Sequence, residues 1–423
     1  MDPLIRGLGA GSRAGFEVSA ACPFPTPPSL ILPFLRGGAV GRPGDKDIPL
    51  PPMTQSFPRR HRCTHLVPEP SAPSASSSPQ PRPPAMGEPA EPRNQAKWDP
   101  YEKNISAISQ NLSGEYFRYK GILFPVGIYS PESISLVENA EVQDDDIFIV
   151  TYPKSGTNWM IEILSLILKD GDPSWIHSVP IWKRSPWCEA IMGAFSLPNQ
   201  PSPRLMSSHL PIQLFAKAFF NSKAKVIYMG RNPRDVAVSL YHYSKIARQL
   251  KDPGTPDQFL ENFLKGEVQF GSWFDHIKGW IRMKGKENFL FITYEEMHQD
   301  LHSSVQRICQ FLGRPLGEEA LESVVAHSSF KAMKANTMSN FSLLPHSLLD
   351  QRHGAFLRKG VCGDWKSHFT LAQSEAFDRV YREQMRGLPT FPWDVDPEDA
   401  SPDSDPGPDP SPNPDQAPEA PHP

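Results

Sequence analysis

The sequence predicts one α/β domain, with a central, mainly parallel sheet flanked by helices, set within a longer chain of 423 residues. Three observations predict it. Proline crowds the two ends and spares the middle; short apolar runs in the middle alternate with amphipathic stretches; and three of the runs feed helices, two of them through a glycine.

Of the 48 prolines, 20 fall in residues 1–97 and 10 in residues 394–423. Residues 1–97 mix Pro, Ser, Gly and Arg with no hydrophobic period, as in Pro70-Ser71-Ala72-Pro73-Ser74-Ala75. So little apolar surface cannot offset the entropy of ordering, so a disordered extension is expected there. Met86 opens a segment that also reads as a start. The last 30 residues carry nine Asp or Glu and no Lys or Arg, which predicts a disordered acidic, Pro-rich tail. The domain is left as residues 98–393.

With eleven basic and seven acidic residues in 1–97 and a net charge of −4 overall, the middle is left at +1. That neutrality argues against a nucleic-acid partner, which calls for a strongly basic domain. Any anion must be gripped locally. The five cysteines, Cys22, Cys63, Cys188, Cys309 and Cys362, are scattered and form no CxxC pair, so neither a disulfide framework nor a metal site is expected. No apolar run approaches the ~18 residues of a membrane helix. The expected location is the cytosol, with the nucleus and the microsome surface as further places.

The elements of the sheet follow in order. Ile147-Phe148-Ile149-Val150-Thr151 reads as a buried strand, followed by a glycine turn and a helix from Trp159 to Lys169 that Gly171 closes. Leu205 to Ser208 is a second strand, ending at His209. Lys225 to Met229 is a third, running through Gly230 into a helix that begins near Pro233, a residue suited to a first turn. Asn288 to Thr293 is a fourth, again leading into a helix. Ligands of such sheets bind beyond the carboxyl ends of the strands, and Lys154, His209, Arg231 and Tyr294 each lie just past one.

Strand, Tyr152 to Thr157, then helix is the layout in which backbone N–H groups and a helix N-terminus hold a phosphate, with Lys154 as local cation. Lys154 precedes a single Gly156, so this is not a Walker A loop, and a mononucleotide kinase is disfavoured. Arg231 with Ser239 pairs a guanidinium at a strand end with a helix hydroxyl, which suits a second phosphate; Arg234 and Asp235 also suit a salt bridge or cap. Arg358-Lys359-Gly360 and the following Gly363 put cations beside permissive backbone, as a phosphate-covering loop requires and as a solvated charge run also would. His209, turned aside by Pro211, is placed to act as a general base if it faces the phosphate loop. Trp182, Trp187 and Phe195 suit an apolar acceptor pocket and equally suit a core.

Three separated segments, TYPKSGTNW at 151–159, RNPRDVAVS at 231–239 and RKGVCGDWKSHFT at 358–370, resemble the cytosolic sulfotransferase family, its hydroxysteroid branch in particular, over about Trp98 to Trp393. The resemblance implies a P-loop-like fold, 3′-phosphoadenosine 5′-phosphosulfate (PAPS) as sulfuryl donor, no metal, and cholesterol or another sterol or steroid hydroxyl as acceptor. It further implies that Lys154, Ser155, Gly156 and Thr157, with Asn158 beside them, hold the phosphosulfate end, that Arg231, Ser239, Arg358, Lys359 and Gly360 hold the 3′-phosphate, and that Trp159, Tyr294 and Phe330 surround the adenine. Tyr294 and the run Ser328, Ser329, Phe330, Lys331, Ala332 and Met333 would adjoin the nucleotide. His209 would be the catalytic base, aided by Lys154 and Ser239, and Trp182 with Trp187 would meet the acceptor. Lys366, Thr370, Leu371 and Glu375 match the family's dimer motif with Leu371 in place of Val, and Asn158 stands where Thr is usual. A nucleotide-dependent phosphotransferase and an inactive scaffold with partner-recruiting ends are the rival readings.

Overall fold

The computed structural model describes residues 108–110, 112–196 and 200–395, apart from the side chains of 195 and 196. These residues belong to one compact unit, Pro89–Pro423. The 1–97 extension, the tail from 396 onward and the Phe195 side chain lie outside the described residues.

An antiparallel hairpin comes first, β1 (Tyr116–Tyr119) and β2 (Ile122–Pro125), with Tyr119 opposite Ile122. Its two-residue turn needs positive φ at both positions, supplied by Lys120 at 47° and Gly121 at 85°. The main sheet holds β3 (Ile147–Thr151), β4 (Leu205–Ser208), β5 (Lys225–Gly230) and β6 (Phe289–Thr293), all parallel, in the order β4-β3-β5-β6. The four strands fall where the residue pattern puts them, to within one residue. Because the chain steps from β3 to β4 on one side and to β5 on the other, the order reverses at β3 and β5, and a crevice opens beyond their carboxyl ends.

β3, β5 and β6 are mostly apolar because both faces are covered, whereas β4 ends in the buried Ser207 and Ser208. Phe148, Val150, Met206, Val226 and Tyr228 face one core, with Trp273, Phe274, Ile277 and Trp280. Ile147, Ile149, Leu205, Ile227 and Met229 face the other, with Ile161, Leu164 and Ile167. The helices that matter for the site are α1 (Thr157–Ile167), α2 (Pro233–Ser244), α3 (Trp273–Ile281) and α4 (Leu371–Gln384). Helix α1 starts two residues earlier than the sequence predicts, because left-handed Gly156 (φ 109°) acts as its N-cap. Gly171 closes it as expected, donating its N–H to the Leu166 carbonyl at 2.9 Å with φ at 84°. No helix among the described residues is long and apolar enough to cross a membrane.

One buried ion pair ties the layers together. Arg184 and Glu162 are both fully buried and meet at 2.7 Å, and Glu162 also accepts from Ser339 Oγ at 2.9 Å. Arg184 donates further to Ser165 Oγ at 3.0 Å and the Val179 carbonyl at 2.9 Å, so its charge is well satisfied. Replacing Arg184 with Met leaves the Glu162 carboxylate without its countercharge. Urea denaturation should show a loss of about 3–5 kcal/mol, the usual cost of breaking one partner from a buried pair.

Candidate active site

All four strand-end residues reach one cavity of about 530 Å³ at the carboxyl ends of the sheet. Lys154, His209, Arg231 and Tyr294 line it, as do Gly156, Thr157, Asn158, Trp159 and Ser239. Its volume is that of a small-molecule site.

The loop after β3 is built around two positive backbone angles, Lys154 at 70° and Gly156 at 109°. A Cβ on Gly156 would stand 2.7 Å from Met229 Cε and 2.9 Å from the Tyr294 ring, so only glycine lets the loop lie this close to the sheet. The Gly156 cap makes no side-chain hydrogen bond, which leaves the N-terminus of α1 open. Four buried donors around it have no partner: Ser155 Oγ, Asn158 Nδ2, Trp159 Nε1 and Arg231 Nε. Buried donors are seldom left so, and unpartnered donors in the loop, first turn and facing strand end beside an open helix start are what an anionic ligand satisfies.

Lys154 does not point into that cluster. Its ammonium sits over the Tyr243 ring at 4.2 Å and the Phe356 ring at 4.1 Å. Burial, with the neighbouring Arg231 and Arg358 charges, pulls its pKa down to about 7. Arg231 is held by the carbonyls of Lys154 at 3.0 Å and Val361 at 3.2 Å and lies over the Tyr294 ring at 4.2 Å, while Trp159 meets Tyr294 edge-on at 5.1 Å.

Arg234 and Asp235 take the structural reading. Arg234 pairs with Asp378 on α4, and the Asp235 carboxylate accepts the N–H groups of Gly363 at 2.7 Å and Trp365 at 2.9 Å. The loop behind that turn brings Arg358, Lys359 and Gly360 to the cavity, but both cations donate to the Asp364 carboxylate. Although burial raises the Asp364 pKa, hydrogen bonds from Lys359 and Arg358 prevail and hold it at about 2. A phosphate here must draw these cations from Asp364. Gly360 (φ 70°) has no room for a Cβ, which would fall 2.2 Å from the Phe330 ring.

Within the run 328–333, Phe330 and Met333 line the cavity. The Ser328 hydroxyl donates to the Val324 carbonyl at 2.7 Å, and Ser329 Oγ caps the next helix at Ala332 N. Lys331 and Ala332 are not in the cavity wall.

His209 is set more tightly than its neighbours. Its Nδ1 lies 2.9 Å from the Thr151 carbonyl, an acceptor only, so Nδ1 carries the proton. Its Nε2 accepts from the indole N–H of Trp187 at 3.0 Å, a donor only, so Nε2 holds the lone pair. Burial drives the pKa down to about 4, against the hydrogen bond to Thr151, and Lys154 adds to the drop. The ring is a neutral base whose accepting nitrogen meets Trp187, and both residues line the cavity. Trp182 is also in the wall, with its own Nε1 unpartnered.

Sequence reading missed Tyr243, Phe356 and Asp364, which hold the cations, and Glu189, His276 and Tyr228, which surround His209. The first two sit in stretches whose spacing marks helix or loop only. Sequence reading also found no metal-ligand cluster, yet His302, Glu318 and Glu322 place ligand atoms within 4.8 Å of one another. None of the three lines the cavity, and His302 lies 3.4 and 3.8 Å from the two carboxylates in a surface contact between helices.

Known proteins resemble this chain in sequence and in fold. A family model described as "Sulfotransferase domain" matches residues 144–389. Sulfotransferase 2B1 of Homo sapiens is 81% identical over 307 residues, covering 72% of this chain and 84% of that protein. The 3-beta-hydroxysteroid sulfotransferase of Cavia porcellus is 52% identical over 279 residues, 65% of this chain and 97% of its own length. The crystal structure of mouse sulfotransferase SULT7A1 complexed with PAP is 35% identical at a TM-score of 0.56, covering 64% of this chain and 95% of that one. With the family match covering more than half of the chain and taking in all four strands of the main sheet, the chain belongs to the sulfotransferase family.

Proposed function

We propose that this chain transfers the sulfuryl group of PAPS to the hydroxyl of cholesterol or a 3β-hydroxysteroid such as pregnenolone or dehydroepiandrosterone, yielding a steroid sulfate and adenosine 3′,5′-bisphosphate. One observation carries the reading. Asn158, Trp159 and Arg231, whose Nδ2, Nε1 and Nε have no partner, line the same cavity as His209, and Ser155 Oγ is unpartnered in the adjoining loop. An anionic donor and a hydroxyl acceptor have matching groups in one cavity.

The residues present fit PAPS. Ser155 to Asn158 and the open start of α1 would hold the phosphosulfate; Arg231, Ser239 and the Arg358 loop the 3′-phosphate; Trp159, Tyr294 and Phe330 the adenine. PAPS supplies an activated sulfuryl group. His209 takes the acceptor's proton at Nε2, which requires the acceptor to displace the Trp187 indole, and Lys154 offers positive charge where the leaving phosphate gains negative charge. No residue forms a covalent bond in this scheme.

The acceptor class rests on the apolar side of the cavity, where Trp182, Trp187, Tyr129, Phe270 and Leu348 meet, and on the named activity of the Cavia porcellus relative. A homodimer through Lys366, Thr370, Leu371 and Glu375 is part of the proposal; all four are exposed, and Leu371 keeps 77% of its surface. So are a cytosolic location and a catalytic domain of 98–393 between dispensable ends. The test is sulfation with PAPS of cholesterol, pregnenolone, dehydroepiandrosterone and a simple phenol, with ATP replacing PAPS in a parallel arm. The sterols should be sulfated and the phenol poorly. Preference for the phenol removes the steroid reading, and phosphoryl transfer from ATP removes the donor.

A further inference from the structure

His209 lies one residue beyond the sheet ladder. The last β3–β4 pair is Val150 with Ser208, so strand pairing provides for neither its N–H nor its carbonyl. Buried main-chain groups need partners, and here side chains supply both. Glu189 Oε1 accepts the His209 N–H at 2.7 Å. On the other side, His276 Nε2 lies 3.1 Å from the His209 carbonyl, which can only accept, so this nitrogen is the donor. Burial keeps His276 neutral, with a pKa near 3, and its Nδ1 is then an acceptor for the Tyr228 O–H at 3.0 Å. The direction of the chain is fixed: Tyr228 to His276 to the His209 carbonyl.

The three side chains come from separate places. Glu189 lies in the loop after Trp187, Tyr228 is on β5 and His276 is on α3. All are buried to 1% exposure or less. Glu189 is costly to keep there: its Oε2 has no partner, and burial raises its pKa to about 7. A core has no packing reason for such a group.

We propose that Glu189 and the Tyr228–His276 pair are positioning residues that clamp the main chain of His209 from both sides. With Nδ1 already tied to Thr151, the clamp leaves the ring one pose, Nε2 facing the cavity. This rests on His209 being the proton acceptor in the reaction above.

The experiment measures kcat, acceptor KM, donor Kd and Tm for Tyr228→Phe, Glu189→Leu, Glu189→Gln and His209→Ala, each in the full chain. Tyr228→Phe deletes one hydroxyl and keeps the ring, so it is expected to fold. Its kcat should fall about three- to tenfold with donor Kd unchanged, and Glu189→Leu should lose roughly thirtyfold or more, since small misplacements of a reacting group cost up to about a hundredfold. Glu189→Gln retains an oxygen that can accept the N–H and should recover most of the loss. Wild-type kcat in both Tyr228→Phe and Glu189→Leu, with Tm alone lowered, overturns the clamp while an inactive His209→Ala leaves the base standing. An active His209→Ala overturns the base, and the clamp with it.

Discussion

Replacing His209 with Ala should lower turnover by roughly a hundred- to ten-thousandfold, the range a positioned general base contributes, while donor binding persists. The two effects separate because the groups that face the anion, Ser155, Asn158, Trp159 and Arg231, make no hydrogen bond to His209. The variant loses the acceptor for the Trp187 indole and the contact to Thr151, both local to the strand end. Single-turnover sulfation beside equilibrium binding of adenosine 3′,5′-bisphosphate makes the check, and turnover near wild type would refute the role. The pH profile gives a second reading. The base works when neutral, and burial holds its pKa at about 4, so this limb of kcat/KM should be flat near neutrality and fall only as pH drops through about 4. An ordinary exposed histidine would bring the fall at about 6.5.

Much of this was readable from residue order. Ile147 to Thr151 could be placed because a strand covered on both faces is apolar along most of its length, a signature that Lys225 to Gly230 shares and Leu205 to Ser208 shows only in its first half. Lys154, His209, Arg231 and Tyr294 could be grouped because parallel strands put their carboxyl ends on one side. The hairpin at Tyr116 escaped notice because its turn uses Lys120 in a left-handed conformation that side chains rarely adopt. What stayed hidden were contacts between distant residues. Asp364 takes both Arg358 and Lys359, Tyr243 and Phe356 hold the Lys154 ammonium, and Tyr228 reaches His209 through His276 from a strand two places away. Spacing reveals what a segment offers, whereas the partner it spends that group on depends on packing.

Lys154 is where that difference has the largest consequence. A lysine read as a free cation should bind an anion without regard to pH near neutrality. This one is held over two aromatic rings with its pKa pulled to about 7 by burial, Arg231 and Arg358. An anionic donor favours the charged form and must raise that pKa when it binds, so binding takes up a proton. The sign follows from linkage: affinity is full below about 7 and weakens as pH rises through that value. Calorimetry at about pH 8 in buffers of different ionisation enthalpy should detect most of one proton taken up per donor bound. Lys154→Met should weaken donor binding about ten- to a hundredfold, the worth of a charged hydrogen bond, and slow transfer by about a hundredfold or more through loss of charge beside the leaving group. It should also abolish the proton uptake. Drawing the ammonium from Tyr243 and Phe356 costs about 1–2 kcal/mol, so Tyr243→Leu should tighten the donor relative to wild type if the rings act only as a resting place. Unchanged donor affinity and turnover in Lys154→Met, or no proton uptake by the wild type, would remove Lys154 from the donor site and leave Arg231 and the start of α1 as its anion-binding groups.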